Sequence, residues 1–337
     1  MTGRLHVTNG DASTPGIATA DPSGDVLPWR DVLHEGPVPA HLSLGALSEL
    51  RAAFLANAGL GGLDEISRSF AERNDCLRRF TDYDEVTLWF EWDLYDQLQL
   101  IQILDFLADH TVEDLAETRT TLSIVETNDY LGMIPADRFP RLFEERRPVT
   151  PDMLRAGRDA WAAFRSDDPR GVWKLANDTS SSLQHLPGAL FRHIEEFPAT
   201  SNGLSRSERQ ILEAVSQGPL SFTEIFRRTS AREERIYCGD AAVAGYIERM
   251  SQHDFPLLSH PTGEAIDAPR TDADSRAFRN SEIALTPIGR AVLCDDRDWI
   301  ELGGTDRWLG GVHLKGSNVR WRWDPPGRQL IDMEKSA

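Results

Sequence analysis

Val86-Thr87-Leu88-Trp89-Phe90 stands between Asp84-Glu85 on one side and Glu91 on the other. A short apolar run bounded by acids reads as a buried strand. Asp93 follows, and Leu94 to Leu107 then form a strongly apolar segment of helical length. Leu122 to Val125 is the next apolar run and reads as a second strand. Strand, helix, strand in this order predicts a parallel βαβ unit, because parallel neighbours need a crossover. The expected class is therefore α/β, with a Rossmann-like three-layer N-terminal domain.

Working back from that strand, Leu5-His6-Val7-Thr8 alternates apolar and polar and predicts the first strand. It runs into Asn9-Gly10-Asp11, a turn signal. Residues 12–25, rich in Gly, Pro, Ser and Asp, read as loop. The two prolines and the glycine of Val26-Leu27-Pro28-Trp29-Arg30-Asp31-Val32-Leu33-His34-Glu35-Gly36-Pro37 argue against a regular helix there. Residues 43–57 and 64–80 carry apolar positions at helical spacing, and Gly59-Leu60-Gly61-Gly62 reads as the turn between them.

Working forward, residues 131–202 read as a helical connection, with Trp161, Phe164, Trp173, Leu190 and Phe191 as core candidates. Residues 203–300 predict a winged-helix-like domain. Three Ser-x-x-Glu boxes, Ser205/Glu208, Ser221/Glu224 and Ser230/Glu233, each suit a helix start, for helices over 205–216, 221–229 and 231–251. Phe255–Leu258 and Ile283–Leu285 predict two strands around a polar loop. Thr286-Pro287 then opens a closing helix, with Thr286 as cap and Pro287 at its first position. Residues 301–337 read as a hairpin tail, with Val319, Trp321 and Trp323 on one face and Arg320 and Arg322 on the other. The α/β domain itself spans 1–130.

The chain has 337 residues, 40% hydrophobic and 27% charged, which is ordinary globular composition with room for two cores. Three cysteines, Cys76, Cys238 and Cys294, are widely spaced and odd in number, which argues against a disulfide framework and fits a reducing compartment. No apolar run is long enough to span a bilayer, and Met-Thr-Gly-Arg-Leu-His enters the first strand without signal-peptide character, so a cytoplasmic protein is expected. The net charge of -18 lowers the expectation of nucleic-acid or membrane binding, which needs a basic footprint.

Three segments, Leu5 to Asp11, Leu27 to Pro39 and Leu88 to Leu100, together resemble a bacterial domain-of-unknown-function family, number eighteen thirty-five. The resemblance covers about the first third of the chain, and Asp306 to Leu314 is similar to such proteins too. Trp92 departs from the pattern, where the resemblance leads one to expect histidine. The family name implies no activity, so chemistry rests on the residues. The Leu285-Thr286-x-x-Gly289 closing segment resembles those of bacterial winged-helix regulators.

Ligands of open α/β domains bind beyond the carboxyl ends of the strands. His6, Asn9 and Asp11 leave the first strand, Glu91, Asp93 and Asp96 leave the Val86–Phe90 strand, and Asp31, His34 and Glu35 lie in the proline-bounded loop. Asp11, Glu91 and Asp93 are the expected ligands of a divalent metal, with Asn9 and Asp96 binding a polar ligand. His6, His34, Glu35 and Asp31 are the expected acid–base groups. Plainer readings stand beside these. Asp93 suits a helix cap and Asp96 its first turn, Asn9-Gly10-Asp11 suits a tight turn, and His34-Glu35 suits a local hydrogen bond.

No phosphate loop, dinucleotide fingerprint or nucleophile elbow occurs, which turns the reading away from P-loop hydrolysis and nicotinamide chemistry. The leading expectation is a domain that binds a small-molecule or nucleotide-related ligand or performs metal-assisted hydrolysis, with a C-terminal regulatory or interaction module. Arg227, Arg228, Arg232 and Arg235 cluster around the second and third C-terminal helices, and a phosphate-facing patch there would make the protein a DNA-binding regulator. Glu224, Glu233 and Glu234 lie among them, and intrahelical pairing accounts for the same residues. A non-catalytic interaction scaffold is the third reading. Arg320-Trp321-Arg322-Trp323 suits base stacking or, more simply, a half-buried strand.

Overall fold

A computed structural model describes residues 3–114, 120–269 and 272–335, with side chains of 110–114 and 272–273 left aside. The chain divides into two compact units, one built from residues 1–55, 61–191 and 310–312, the other from 56–60, 192–309 and 313–337.

The first unit is mixed α/β. Its elements are β1 (Arg4–Thr8), α1 (Thr14–Ala20), β2 (Asp25–Pro28), α2 (Leu44–Asn57), α3 (Leu63–Arg78), β3 (Glu85–Glu91) and α4 (Leu94–Asp114). They are followed by β4 (Thr121–Thr127), α5 (Phe139–Glu144), β5 (Arg147–Pro148), α6 (Pro151–Phe164), α7 (Arg170–Ala176) and α8 (Leu186–Ile194). Among the described residues these five strands form one sheet, in the order β2-β1-β3-β4-β5. The first four pair in parallel, and β5 runs antiparallel to β4 at one edge. Strand β3 lies at the centre with Val86, Leu88, Trp89 and Phe90 all buried. Both its faces are covered, which is why it reads as a continuous apolar run rather than an alternating one.

Two elements depart from the sequence reading of residues 12–28. The expected loop contains α1, because Pro15 sits in the first turn, where its missing N–H has no helical partner to lose. Ile17 then anchors the helix in a cluster with Trp89, Val125, Leu131 and Phe139. The other is β2, a strand despite Pro28, which is tolerated because β2 is an edge strand. On the other side of the unit α4 packs against α6. Gly157 allows this, since a Cβ there would come within 2.4 Å of the Leu104 Cβ.

The second unit contains α9 (Arg206–Ala214), β6 (Leu220–Ser221), α10 (Phe222–Ser230), α11 (Asp240–Gln252), β7 (Leu258–Ser259), α12 (Asp272–Phe278) and β8 (Glu282–Leu285). It continues with α13 (Pro287–Leu293), α14 (Trp299–Gly303), β9 (Thr305–Leu309), β10 (Val312–Gly316), β11 (Trp321–Asp324) and β12 (Gln329–Asp332). Strands β6, β8 and β7 form a small antiparallel sheet, and Ile211, Leu212, Ile225, Ile247, Leu257, Ile283 and Val292 share one core.

The capping boxes differ in outcome. Ser205 and Glu208 form a complete box, with the Ser205 hydroxyl accepting from the Glu208 amide and the Glu208 carboxylate accepting from the Ser205 amide. Ser221 caps α10 in one direction only, while the Glu224 carboxylate turns to Arg227 and Arg228. Ser230 and Glu233 start no helix: α11 begins at Asp240, after Gly239. The Glu233 carboxylate instead takes two hydrogen bonds from the buried Arg192, at 2.8 and 2.9 Å, and an ion pair out of water outweighs a cap. Thr286 caps α13 as its sequence indicates. The loop expected between β7 and β8 includes α12. The tail holds two hairpins, β9–β10 and β11–β12, in place of one. Arg322 does not face solvent; it is buried with Trp321 and Trp323 and pairs with Asp298 at 2.9 Å.

Candidate metal centre at the strand ends

The carboxyl ends of four parallel strands meet in one rim. Asn9 follows β1, Arg30 and Asp31 follow β2, Glu91 ends β3, and Leu131 lies in the loop after β4. The Asn9 main-chain carbonyl accepts from the Arg30 amide at 2.9 Å. Its side-chain amide donates to Asp96 Oδ2 at 2.8 Å and to Glu91 Oε1 at 3.4 Å. The loops after β1 and β4 close on each other where Gly132 meets Ala12; a Cβ on Gly132 would stand 2.8 Å from that of Ala12.

Glu91, Asp93 and Asp96 each present a carboxylate oxygen within 4.8 Å of the others, and all three side chains are buried. Backbone geometry explains the grouping. Glu91 closes β3, Asp93 caps α4 by accepting from the Asp96 amide at 3.2 Å, and Asp96 lies in the first turn of that helix. Asp96 folds back so that its Oδ1 accepts from the Glu91 amide at 2.7 Å. Glu91 Oε1 also accepts from the Leu131 amide at 2.8 Å, and the Glu91 carbonyl accepts from Gln97. The cap expected of Asp93 is thus present, and the same side chain also belongs to the carboxylate group.

Like charges this close repel by about 3 to 4 kcal/mol per pair at an effective dielectric near 20. Burial, followed by the neighbouring Asp93 carboxylate, pushes the Glu91 carboxyl up to about 7. The same causes, with Glu91 added, push Asp96 well above the usual carboxylate range. The group must hold protons or a cation. Its donors are all hard oxygens, the set that magnesium, manganese and calcium prefer over softer metals.

Other expected site residues lie elsewhere. Asp11 is not part of the carboxylate group; Asp96 takes the place it was expected to fill. Asp11 is two-thirds exposed and receives a bidentate pair from Arg30, at 2.7 and 2.5 Å, which lowers its pKa. A carboxylate turned outward onto a guanidinium cannot also face the strand ends. His6 is wholly buried, and its Nδ1 accepts from Trp89 Nε1 at 3.1 Å. Its Nε2 therefore carries the proton and donates to Asp21 Oδ2 at 3.2 Å. Burial lowers the His6 pKa and keeps the ring neutral. Both nitrogens are committed, so His6 orders the sheet rather than transferring protons.

Asp31 is a structural anchor. It is fully buried between Arg51, at 3.0 Å, and Arg73, at 3.3 Å. Arg51 also donates to the carbonyls of Val32 and Glu35, and Arg73 donates to the Trp29 carbonyl and stacks over the Trp29 and Phe70 rings. Burial lowers the Arg73 pKa to about 10 against the pull of Asp31. His34 is buried edge-on to the Tyr95 ring, and Glu35 is partly buried beside it in the clamped loop. Sequence reasoning missed Arg51 and Arg73, which are separated from Asp31 by 20 and 42 residues and look like ordinary helix-surface arginines.

In the second unit Arg227 and Arg228 both pair with Glu224, at 2.8 and 2.6 Å, and Arg232 pairs with Glu213. Arg235 lies in the segment between α10 and α11. The Trp321 and Trp323 rings are buried and present no stacking face.

No family model matches the chain, and no curated protein matches it. Among the described residues no helix is long and apolar enough to cross a membrane.

Proposed function

We propose that the first unit is a Rossmann-like domain, of the family its sequence resembles, that binds a divalent cation through Glu91, Asp93 and Asp96 and uses it to bind, and by metal-assisted hydrolysis to process, a small polar ligand. The observation that carries this reading is the burial of three carboxylates within 4.8 Å of one another. Asn9 orients Asp96 and Glu91, and the Leu131 amide holds Glu91 from the other side. A hard cation bound there would neutralise the carboxylates and polarise a ligand oxygen. In its absence Glu91, with its pKa pushed up to about 7, shares its time between the protonated and ionised forms at neutral pH.

The second unit is proposed as a winged-helix-like regulatory or interaction module. Neutralisation of Arg227, Arg228 and Arg232 by nearby glutamates supports a protein-facing role over DNA reading, as does the net charge of -18. A cytoplasmic location is proposed on the cysteine pattern.

Thermal unfolding with magnesium, manganese or calcium, compared between wild type and Asp96→Asn, tests the reading. A cation that binds only the folded state raises the midpoint. The shift is expected at pH 8, smaller at pH 5.5 where protons occupy the group, and absent in Asp96→Asn. Equal midpoints with and without cation at pH 8 would leave the group a proton-binding feature only.

A further inference from the structure

A small cavity opens into the second unit where α9, the end of α10, the segment 231–239 and the start of α11 meet. Its volume is about 320 Å³, open mouth included. Ile211, Ile236, Val243 and Tyr246 give it apolar walls, and Ile236 is 39% exposed. Most of its polar groups are committed within the protein. The Glu233 carboxylate is neutralised by Arg192, at 2.8 and 2.9 Å, and the Ser207 hydroxyl donates to Glu196 at 2.6 Å. The Thr229 hydroxyl turns back onto the Ile225 and Phe226 carbonyls of its own helix.

Gln210 differs. It lines the cavity, is only 8% exposed, and its side chain makes no hydrogen bond among the described residues. The Ser230 hydroxyl, half-buried at the end of α10, has no partner there either, and Ser230 starts no helix that would use it as a cap. An unpaired buried amide costs about 1 to 3 kcal/mol, so one that faces a cavity calls for a partner from outside the chain.

We propose that this cavity binds a small neutral ligand made of a ring and a carboxamide or lactam edge, with Gln210 pairing to that edge. Such an edge carries a donor and an acceptor side by side, and a glutamine side chain offers the complementary pair. The ring lies against Ile211, Ile236 and Val243, where apolar burial contributes about 25 cal/mol per Å². The ligand is neutral because Glu233 already has its guanidinium, so an ion would enter at a desolvation cost with no unpaired charge to meet it. The volume suits one ring with a short substituent. Every lining residue belongs to the second unit, so the inference is independent of the cation reading of Glu91, Asp93 and Asp96.

Saturation-transfer NMR with benzamide on the full chain provides the test, with benzoate as the charged counterpart and toluene as the apolar one. Benzamide is expected to bind, and each counterpart to bind roughly tenfold more weakly. Gln210→Met keeps the volume and removes the amide. It should unfold at an equal or higher temperature, because an unpaired buried group is gone, and lose roughly tenfold in benzamide affinity. In methyl-labelled wild type, ring-to-methyl cross-peaks at Ile211, Ile236 and Val243 locate the ligand without any variant, so the test holds even where Gln210→Met fails to fold. Absence of benzamide binding to wild type, or cross-peaks at other methyls only, would overturn the proposal. Benzamide affinity within about twofold of wild type in Gln210→Met would do the same. So would benzoate or toluene binding as tightly as benzamide.

Discussion

The first unit holds two buried ionic groups, and they are built on opposite principles. Around Asp31, one carboxylate is shared by two buried guanidiniums, whose other nitrogens reach carbonyls of the loop they clamp. Around Glu91, three carboxylates face one another, and the Asn9 side chain and the main-chain amides of Glu91, Asp96 and Leu131 donate to them. The first arrangement is complete within the protein and serves architecture. The second gathers like charges that a proton or an external cation would neutralise, and the proposed cation site rests on that feature.

Removing the shared partner is the severest way to break this contrast. Asp31→Ala leaves two buried guanidiniums facing each other, and breaking a buried pair in this way costs about 3 to 5 kcal/mol. Chemical denaturation should show that loss, or failure to accumulate folded protein. An Asp31→Ala variant as stable as wild type would mean that the clamp does not hold the loop.

The opposite behaviour is expected at the strand ends. Glu91 has a folded-state pKa near 7 against an ordinary value of 4.5, so the folded state retains a proton that the unfolded chain has already released. Stability is therefore full below about pH 4.5 and falls as pH rises towards 7, by about 3 kcal/mol. The lowered pKa of His6 acts in the other direction below its ordinary value of 6.5, so the difference between wild type and Glu91→Gln is the quantity to follow. Glu91→Gln should gain on wild type as pH rises from 5 towards 7 and level off above that, and a saturating divalent cation should cancel the gain. Parallel pH curves for the two proteins would remove the contrast.

The smallest effect belongs to Arg30. Relief of its left-handed backbone, φ 57°, is worth about 1 kcal/mol, against the loss of an exposed ion pair worth about 0 to 1 kcal/mol. Arg30→Gly should thus be neutral to slightly more stable in denaturant titrations without ligand. A clear loss of stability would show that the Arg30–Asp11 pair is structural.

The central strand, its following helix and the next parallel strand were legible in the sequence because local signals dominate them: a short apolar run bounded by acids, a strongly apolar segment of helical length, and a second short apolar run. The same holds for the Thr286-Pro287 helix start. Elements that depend on a distant partner were not legible. Pro15 and Ile17 make a helix only against Phe139 and Trp89, and Ser230-x-x-Glu233 loses its cap because Arg192 captures the glutamate. The candidate site follows the same rule. Glu91, Asp93 and Asp96 could be gathered from sequence because they flank one strand end. Asp11 was wrongly added because only the fold shows that it turns away onto Arg30. The arginines at 51 and 73 could not be matched to Asp31 at all without the fold.

The Leu131 amide, which donates to Glu91 at 2.8 Å, turns this site into its own spectroscopic reporter. An amide proton bound to a carboxylate resonates downfield of one bound to a neutral carboxyl, because the charged acceptor draws the proton further from nitrogen. The chemical shift of this one backbone proton therefore records whether Glu91 holds a proton. A cation that displaces the proton leaves its signature at the same resonance, at a pH where the carboxyl would otherwise be neutral.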